Sequence, residues 1–304
     1  MTSMVESIAR YLPDSEVHVL VRMEHASILE NNGNIQKVHC LNKGQRKYQN
    51  LRKMVRTIRA ENYNAVFNCH RFASSGYITL RSGAGVRIGF DKNPMAFGYT
   101  ARAKHRYEEG LHELDRNHEL LQLMWPDIEP VGPKLYPSRT DYSKVAEFKE
   151  EPYYILAPAS VWFTKQYPVE GWLDLIARLD APIYIIGGPS DKDLGERLYK
   201  ESSGRVTNLA GDLSLLESVA LIDGAKALFA NDSAPTHMGT AMNTPTHTMF
   251  CSTDESFGFG PKSGTAVVHQ ERNGLPCRPC GIHGKKKCPE GHFLCSKFKV
   301  EPDL

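Results

Sequence analysis

The sequence predicts an α/β protein built from two consecutive doubly wound domains, each with a parallel sheet. Short β-branched runs alternate with amphipathic helical stretches along the chain, which is the pattern of βαβ units. Most runs in the second half are continuously apolar, as expected for strands covered on both faces. A proline-rich segment at residues 126–138 interrupts the alternation. We therefore predict domains over residues 1–138 and 139–304.

The first half supplies four predicted strands and three predicted helices. The strands occupy residues 16–21, 37–41, 64–68 and 86–90. Apolar residues at helical spacing predict helices over residues 2–12, 45–59 and 113–124. The helix at 45–59 is strongly basic, and the last helix ends before Pro126.

The second half repeats this alternation. Strands are predicted over residues 153–158, 183–188, 205–211, 226–232 and 246–250, with helices over 168–179, 191–201, 214–222 and 235–241. In a doubly wound sheet, ligands bind at the carboxyl ends of the strands. The loops after Pro158, Gly188, Gly211 and Asp232 are therefore the first places to look for a binding site.

Composition excludes a disordered chain and a membrane-spanning one. The 304 residues are 41% hydrophobic and 24% charged, with a formal net charge of +2. No stretch approaches the roughly 18 apolar residues that span a bilayer. The first residues lack the basic region and apolar run of a secretory signal. We expect a soluble, cytoplasmic protein.

The charge is unevenly distributed. Residues 1–110 contain 17 lysines and arginines against 9 acidic residues, a net charge of +8, and the remainder carries −6. This asymmetry predicts an anionic partner for the first domain. A solvated surface that leans basic accounts for the charge equally well.

The loop after the strand at 153–158 has the composition of a phosphate site. Ser160, Thr164 and Lys165 stand just before a predicted helix. Hydroxyls, a lysine and the backbone N–H groups of a helix start are what a phosphate needs. The alternative is a capped helix with a solvent-exposed lysine.

A second candidate site follows the strand at 226–232. Asp232, Ser233 and Ala234 lead into a short helix of small residues, with His237 on its first turn. Small residues let an anionic ligand approach the positive helix end closely. The alternative is that Asp232 or Ser233 only caps the helix.

Asp191 and Asp193 form a third motif. Their spacing resembles the pair of acids that holds a divalent metal in one class of glycosyltransferases. We prefer Ser190 as the N-cap with Asp193 at the third helical position, a capping-box variant. A first-turn acid beside a nucleotide can also bond a ribose.

Together these motifs resemble glycosyltransferase family 9, the ADP-heptose:lipopolysaccharide heptosyltransferases and their relatives. The resemblance is carried by the loop 160–165, the segment 231–250, the turn 208–211 and the residues 288–292, and more weakly by Arg71, residues 87–90 and His112. It implies an inverting enzyme of the GT-B fold, with two Rossmann-like domains facing a central cleft.

The resemblance also implies roles for the second-domain residues. Lys165 would neutralise charge on the departing nucleotide diphosphate, and the amides of Ser233 and Ala234 would assist without a metal. Asp232 would contact the donor sugar or its phosphate. The donor-binding set would be Ser160, Thr164, Lys165, Asp191, Asp232, Ser233, Ala234 and His237.

In the first domain the resemblance implies an acceptor site. Arg71 and Arg87, with the basic helix at 45–59, are the candidate contacts for an anionic, lipopolysaccharide-core acceptor. The donor would be a nucleotide sugar, with ADP-heptose favoured, and catalysis would need no cofactor. Contact with the inner membrane surface is expected and nucleic acid is not.

The sequence departs from the family at both ends. Members of the family begin with a strand and a Gly-Asp turn, whose Asp is the expected general base. The present sequence starts at the next helix and stops where a final helix usually begins. We therefore expect the first strand, the base upstream of Met1 and the last helix to be lacking. A GT-B-fold sugar-nucleotide epimerase and a non-catalytic sugar-nucleotide-binding remnant remain alternatives.

Four of the seven cysteines fall within residues 277–295. Cys277, Cys280, Cys288 and Cys295 have the spacing C-x2-C-x7-C-x6-C. Clustered thiols in a cytoplasmic chain are more often a tetrahedral zinc site than disulfides. We expect a structural zinc ion, with two disulfides or a reduced loop as alternatives.

Overall fold

The computed structural model describes residues 1–44, 46–107 and 110–302. The chain forms two compact units, Met1–Lys134 and Leu135–Leu304. The boundary between them falls inside the proline-rich segment. Gln45, the first residue of the predicted basic helix, lies outside the described residues.

The first unit contains small parallel sheets covered by helices. Its elements are α1 (Thr2–Tyr11), β1 (His18–Arg22), β2 (Lys37–Leu41), α2 (Lys47–Ala60), β3 (Ala65–Asn68), α3 (Ala73–Arg81), β4 (Val86–Phe90), β5 (Ala101–Ala103) and α4 (Glu113–Gln122). Strands β1 and β2 form one sheet, and β3, β4 and β5 form another. All of these pairings are parallel.

Helix α1 packs against residues of both sheets. Val5 belongs to a buried cluster with Val19 of β1, whereas Met4 belongs to a cluster with Ile88 and Phe90 of β4. The amphipathic pattern that predicted this helix therefore serves two small cores at once.

Two elements of this unit were not predicted. Strand β5 has three residues, too few to show a periodic pattern. Helix α3 is rich in serine and contains Gly76, whose missing side chain admits Asn93: a Cβ there would lie 2.1 Å from Asn93 Oδ1. Close packing at Gly76, and not high helix propensity, therefore accounts for the residues of this helix.

The second unit is a doubly wound domain. Its elements are α5 (Arg139–Lys144), β6 (Tyr154–Ala157), α6 (Val169–Arg178), β7 (Ile183–Ile185), α7 (Lys192–Glu201), β8 (Thr207–Asn208), α8 (Leu215–Ile222), β9 (Ala227–Asn231), α9 (Ala234–Met242), β10 (Thr246–Phe250) and β11 (Ala266–Gln270). The strand order is β11-β10-β9-β6-β7-β8, and every pairing is parallel. The predicted α/β class is confirmed, although α5 and β11 were missed.

The core of the second unit sits under its central strands. Tyr154, Leu156 and Phe229 are fully buried or nearly so, and Trp172 of α6 packs against them with no exposed surface. Strands β6, β9 and β10 are buried at every position. The apolar runs of β6 and β9 lack the alternation of a half-exposed strand for this reason, whereas β10 buries two threonines and a histidine as well.

Candidate active site

The strand order places a switch point between β6 and β9. The chain runs outward from β6 through β7 and β8, and then returns to β9 on the other side of β6. At such a point the loops after the two strands diverge and leave a crevice at their carboxyl ends. The loop 158–167 and the start of α9 therefore border the same crevice.

Asn231, the last residue of β9, ties these two loops together. Its Oδ1 accepts a hydrogen bond from the Tyr167 N–H at 2.9 Å, and its Nδ2 donates to the Pro158 carbonyl at 2.6 Å. The side chain is fully buried. Sequence reasoning missed this residue, because nothing in a strand-ending asparagine indicates which distant backbone groups it joins.

Lys165 and Asp232 meet across the crevice. The Lys165 ammonium lies 2.6 Å from Asp232 Oδ2, and only 15% and 9% of the two side chains are exposed. The Thr253 hydroxyl donates to the same carboxylate oxygen at 2.6 Å. Two residues that the sequence assigned to donor binding are thus brought into direct contact.

Helix α9 begins beside this ion pair. Ser233 is its N-cap and Ala234 its first residue, and the helix is held close to the sheet by Gly239. A Cβ on Gly239 would lie 2.4 Å from Thr246 Oγ1. The first-turn N–H groups of a helix have no partner within it and favour an anion. His237 is exposed on the same helix.

Thr164 does not face the crevice as the sequence prediction required. It is 1% exposed, and its hydroxyl accepts hydrogen bonds from the Lys285 N–H at 2.8 Å and from Ser252 Oγ at 2.9 Å. Its side chain supports the loop that carries Lys165. The predicted contact of this hydroxyl with a phosphate is corrected accordingly, whereas Ser160 stays half-exposed on the loop.

The predicted cap of α7 is also wrong in detail. The helix begins at Lys192, and Asp191 takes the position before it. Asp191 Oδ2 accepts the Gly188 N–H at 2.8 Å, which closes a turn that the sequence had assigned to Ser190. Asp191 follows β7, the neighbour of β6, so it lies at the same edge of the sheet as Lys165.

Arg71 and Arg87 are separated within the first unit. Arg71 follows the carboxyl end of β3, with its guanidinium 5.7 Å from the Tyr107 ring centroid. Arg87 pairs with Val66 in the amino-terminal half of the sheet, and its guanidinium binds the carbonyls of Ala84 and Gly98. The expectation that both line one acceptor surface is corrected, because Arg87 is committed to backbone carbonyls.

Other basic residues lie, like Arg71, at the carboxyl ends of the strands of the first unit. Arg22 ends β1, and Lys43 and Lys47 follow β2. Burial, together with the charges of Arg22 and Lys47, lowers the pKa of Lys43. Sequence reasoning missed this cluster because its members come from different segments.

A polar network lies at the opposite edge of β1 and β2. Tyr63 Oη is 2.6 Å from His18 Nδ1 and 2.8 Å from His39 Nε2, and Glu61 lies within 4.0 Å of both rings. Although these groups could surround a metal ion, Lys37 already occupies a Glu61 oxygen at 2.5 Å. We interpret this group as a satisfied polar network.

Comparison with known proteins identifies the family. Residues 51–291 match the model of glycosyltransferase family 9 (heptosyltransferase). The chain belongs to this family. The resemblance found in the sequence is confirmed, and the matched range contains Lys165, Asp232 and three of the four clustered cysteines.

Relatives and solved structures agree with this assignment. The chain is 26% identical to lipopolysaccharide heptosyltransferase 1 of Pseudomonas aeruginosa over 75% of its own length and 65% of that protein's. The chain therefore spans somewhat less than two thirds of this relative.

The structure superposes on E. coli ADP-heptose lps heptosyltransferase II with a TM-score of 0.74, at 20% identity, covering 92% of this chain and 90% of that one. E. coli heptosyltransferase WaaC with ADP gives 0.72 at 18% identity, covering 88% and 87%. These likenesses confirm the predicted GT-B fold class. None of the described helices is long and apolar enough to cross a membrane.

Proposed function

We propose that this protein transfers a heptose, or a closely related sugar, from ADP-heptose to the core of a lipopolysaccharide. The observation that carries the proposal is the Lys165–Asp232 pair beside the start of α9, at the switch point of a family 9 chain. The names of the relatives support heptose and ADP over other sugars and nucleotides.

The crevice supplies what a nucleotide diphosphate needs without a metal. In this proposal the Lys165 ammonium and the amides of Ser233 and Ala234 supply positive charge that stabilises the departing diphosphate. Asp232 holds Lys165 in place and contacts the donor sugar. Asp191, Ser160 and His237 complete the proposed donor site from neighbouring loops and from α9.

The reaction is an in-line displacement that balances without a co-reactant. An acceptor hydroxyl oxygen forms a bond to the anomeric carbon as the bond from that carbon to the ADP oxygen breaks, inverting the configuration. The electron pair leaves with ADP. The hydroxyl proton is released to solvent water, so that the products are the new glycoside, ADP and one proton.

The acceptor is proposed to be anionic and to lie on the first unit. Arg71, Lys43 and Arg22 supply positive charge at the carboxyl ends of its strands. The exposed lysines and arginines of α2 favour contact with an anionic membrane surface such as the inner leaflet. Because the inner leaflet of that membrane faces the cytoplasm, we also propose a cytoplasmic location.

The deciding experiment combines binding with turnover. We expect ADP to bind in calorimetry, and radiolabelled heptose to move from ADP-heptose to heptose-free lipopolysaccharide. Isomerised nucleotide sugar formed without acceptor would replace the proposal by the epimerase alternative. Binding without any product would favour the non-catalytic alternative, and absence of ADP binding would reject the donor assignment.

A further inference from the structure

The cysteine-rich segment forms a cavity of its own in the second unit. Four thiols and one imidazole line a space of about 280 Å³, namely those of Cys277, Cys280, Cys288, Cys295 and His292. Apart from a single turn at Leu294–Ser296, the residues between 271 and 302 form no helix or strand among those described. Something other than secondary structure must hold this segment in place.

His292 shows which groups would ligate an ion. Its Nδ1 accepts the Leu294 N–H at 3.0 Å, so the ring proton of the neutral imidazole sits on Nε2. That Nε2 lies 3.9 Å from Cys277 Sγ, so its proton can be donated to the sulfur. An N–H donor to a thiolate is the usual neighbour of a metal-bound sulfur. This arrangement leaves the four cysteines as the candidate ligands, with His292 beside one of them.

The four thiols line one cavity but are not in ligating contact. Among the described residues, no three cysteine or histidine ligand atoms of this cavity lie within 4.8 Å of one another. An ion would draw the sulfurs together to about 2.3 Å from itself. Lys285 also lines the cavity and would offset part of the charge of four thiolates.

The same segment packs against the loop that carries Lys165. The Lys285 N–H donates to Thr164 Oγ1 at 2.8 Å, and the Lys285 carbonyl accepts the Thr164 N–H at 3.1 Å. A Cβ on Gly284 would lie 2.6 Å from Lys165 Cγ, so the backbone of the segment touches the stem of this lysine.

A second anchor joins the segment to the end of β10. The Cys280 N–H donates to the Ser252 carbonyl at 2.8 Å, and the Ser252 N–H donates to the Thr164 carbonyl at 3.1 Å. The cavity is thus linked by hydrogen bonds to Thr164 from two sides. Displacing residues 280–285 would remove the support on which Lys165 rests.

We propose that Cys277, Cys280, Cys288 and Cys295 bind one zinc ion, and that this ion fixes the segment against which Lys165 is positioned. The ion touches neither substrate nor reacting atoms, since its four ligands complete a tetrahedron. The second half of the proposal rests on the proposed function of Lys165, and the first half does not.

Metal analysis of the untagged full-length protein tests the ion. We expect about one zinc per chain, and less than about 0.2 in Cys277→Ser and in Cys288→Ser. Cys40→Ser is the matched control and should keep its zinc. When the metal is chelated and the protein is unfolded in the absence of reductant, all seven cysteines should react with a thiol reagent. Iron in place of zinc, less than half an equivalent of metal, or two disulfides would overturn the proposal.

Calorimetry with ADP tests the positioning. Removing zinc with a chelator should weaken ADP binding about tenfold in the wild-type protein, but less than twofold in Lys165→Met, because the ion acts through that lysine. An equal loss in both proteins would overturn the positioning. If the zinc-loaded wild type binds no ADP, the proposed function is rejected. The zinc site is then still decided by the metal analysis alone.

Discussion

The Lys165 ammonium lies 2.6 Å from the Asp232 carboxylate, although the two residues belong to loops that follow different strands. Both side chains are largely buried, so removing either partner alone would leave the other charge buried and uncompensated. The pair therefore joins the two loops, and it holds a cation beside the proposed diphosphate site.

Lys165→Met should destabilise the second unit and abolish transfer. Asp232 is left as a buried charge without its partner, at a cost of about 3–5 kcal/mol in the free energy of unfolding. The double variant Lys165→Met/Asp232→Asn should recover most of this stability in urea titrations, but no activity. A double variant as unstable as the single one would show that the pairing is not what stabilises the site.

Asn231→Ala should loosen both loops at the switch point. The Tyr167 N–H and the Pro158 carbonyl lose their buried partner, at a cost of about 1–3 kcal/mol each. Chemical denaturation measures the loss, and Asn64→Ala at an exposed position is the control that should change stability by less than about 0.5 kcal/mol. Equal effects of the two variants would contradict this role.

Acid should weaken the second unit through His269. Burial lowers the pKa of His269 to about 4, against about 6.5 in an unfolded chain. The folded form therefore binds fewer protons, so stability is complete above pH 6.5 and falls as the pH drops toward 4, by about 3 kcal/mol. His269 Nε2 also lies 2.9 Å from His247 Nδ1, and this hydrogen bond is incompatible with two charged rings.

Thermal unfolding between pH 7.5 and 4.5 measures this dependence. His269→Gln should flatten the profile over that window, whereas replacement of the exposed His25 by Gln should leave it unchanged. A parallel decline in wild type and His269→Gln would assign the acid sensitivity to other groups.

Arg71 and Arg87 should respond differently to alanine. Arg71→Ala removes a cation from the proposed acceptor edge, so the KM for lipopolysaccharide should rise about tenfold with ADP affinity unchanged. Arg87→Ala removes hydrogen bonds to the carbonyls of Ala84 and Gly98, so it should lower the melting temperature and leave KM within twofold. Reversed outcomes would restore Arg87 to the acceptor site.

Local patterns carried much of the fold. Strands β2, β4 and β10 have the predicted bounds, because each is a short run rich in β-branched and apolar residues. The missed elements are β5, α3, α5 and β11. Strand β5 and helix α5 are short, α3 is rich in serine and β11 is half-exposed, so none of them gives a strong hydrophobic period. Their structure depends on what packs beside them.

The sequence by itself determined that chemistry follows β6 and β9, since loops with Lys165 and with Asp232 stand at the carboxyl ends of apolar strands. Only the tertiary structure decided what each residue touches. It paired Lys165 with Asp232, turned Thr164 toward Lys285, and committed Arg87 to backbone carbonyls. The physical reason is that the contacts of Lys165 and Thr164 join residues far apart in the sequence, and that Arg87 bonds backbone groups whose position depends on the folded loops around it. These contacts depend on the strand order and on which buried polar groups need hydrogen-bond partners. The local hydrophobic period of a sequence indicates neither.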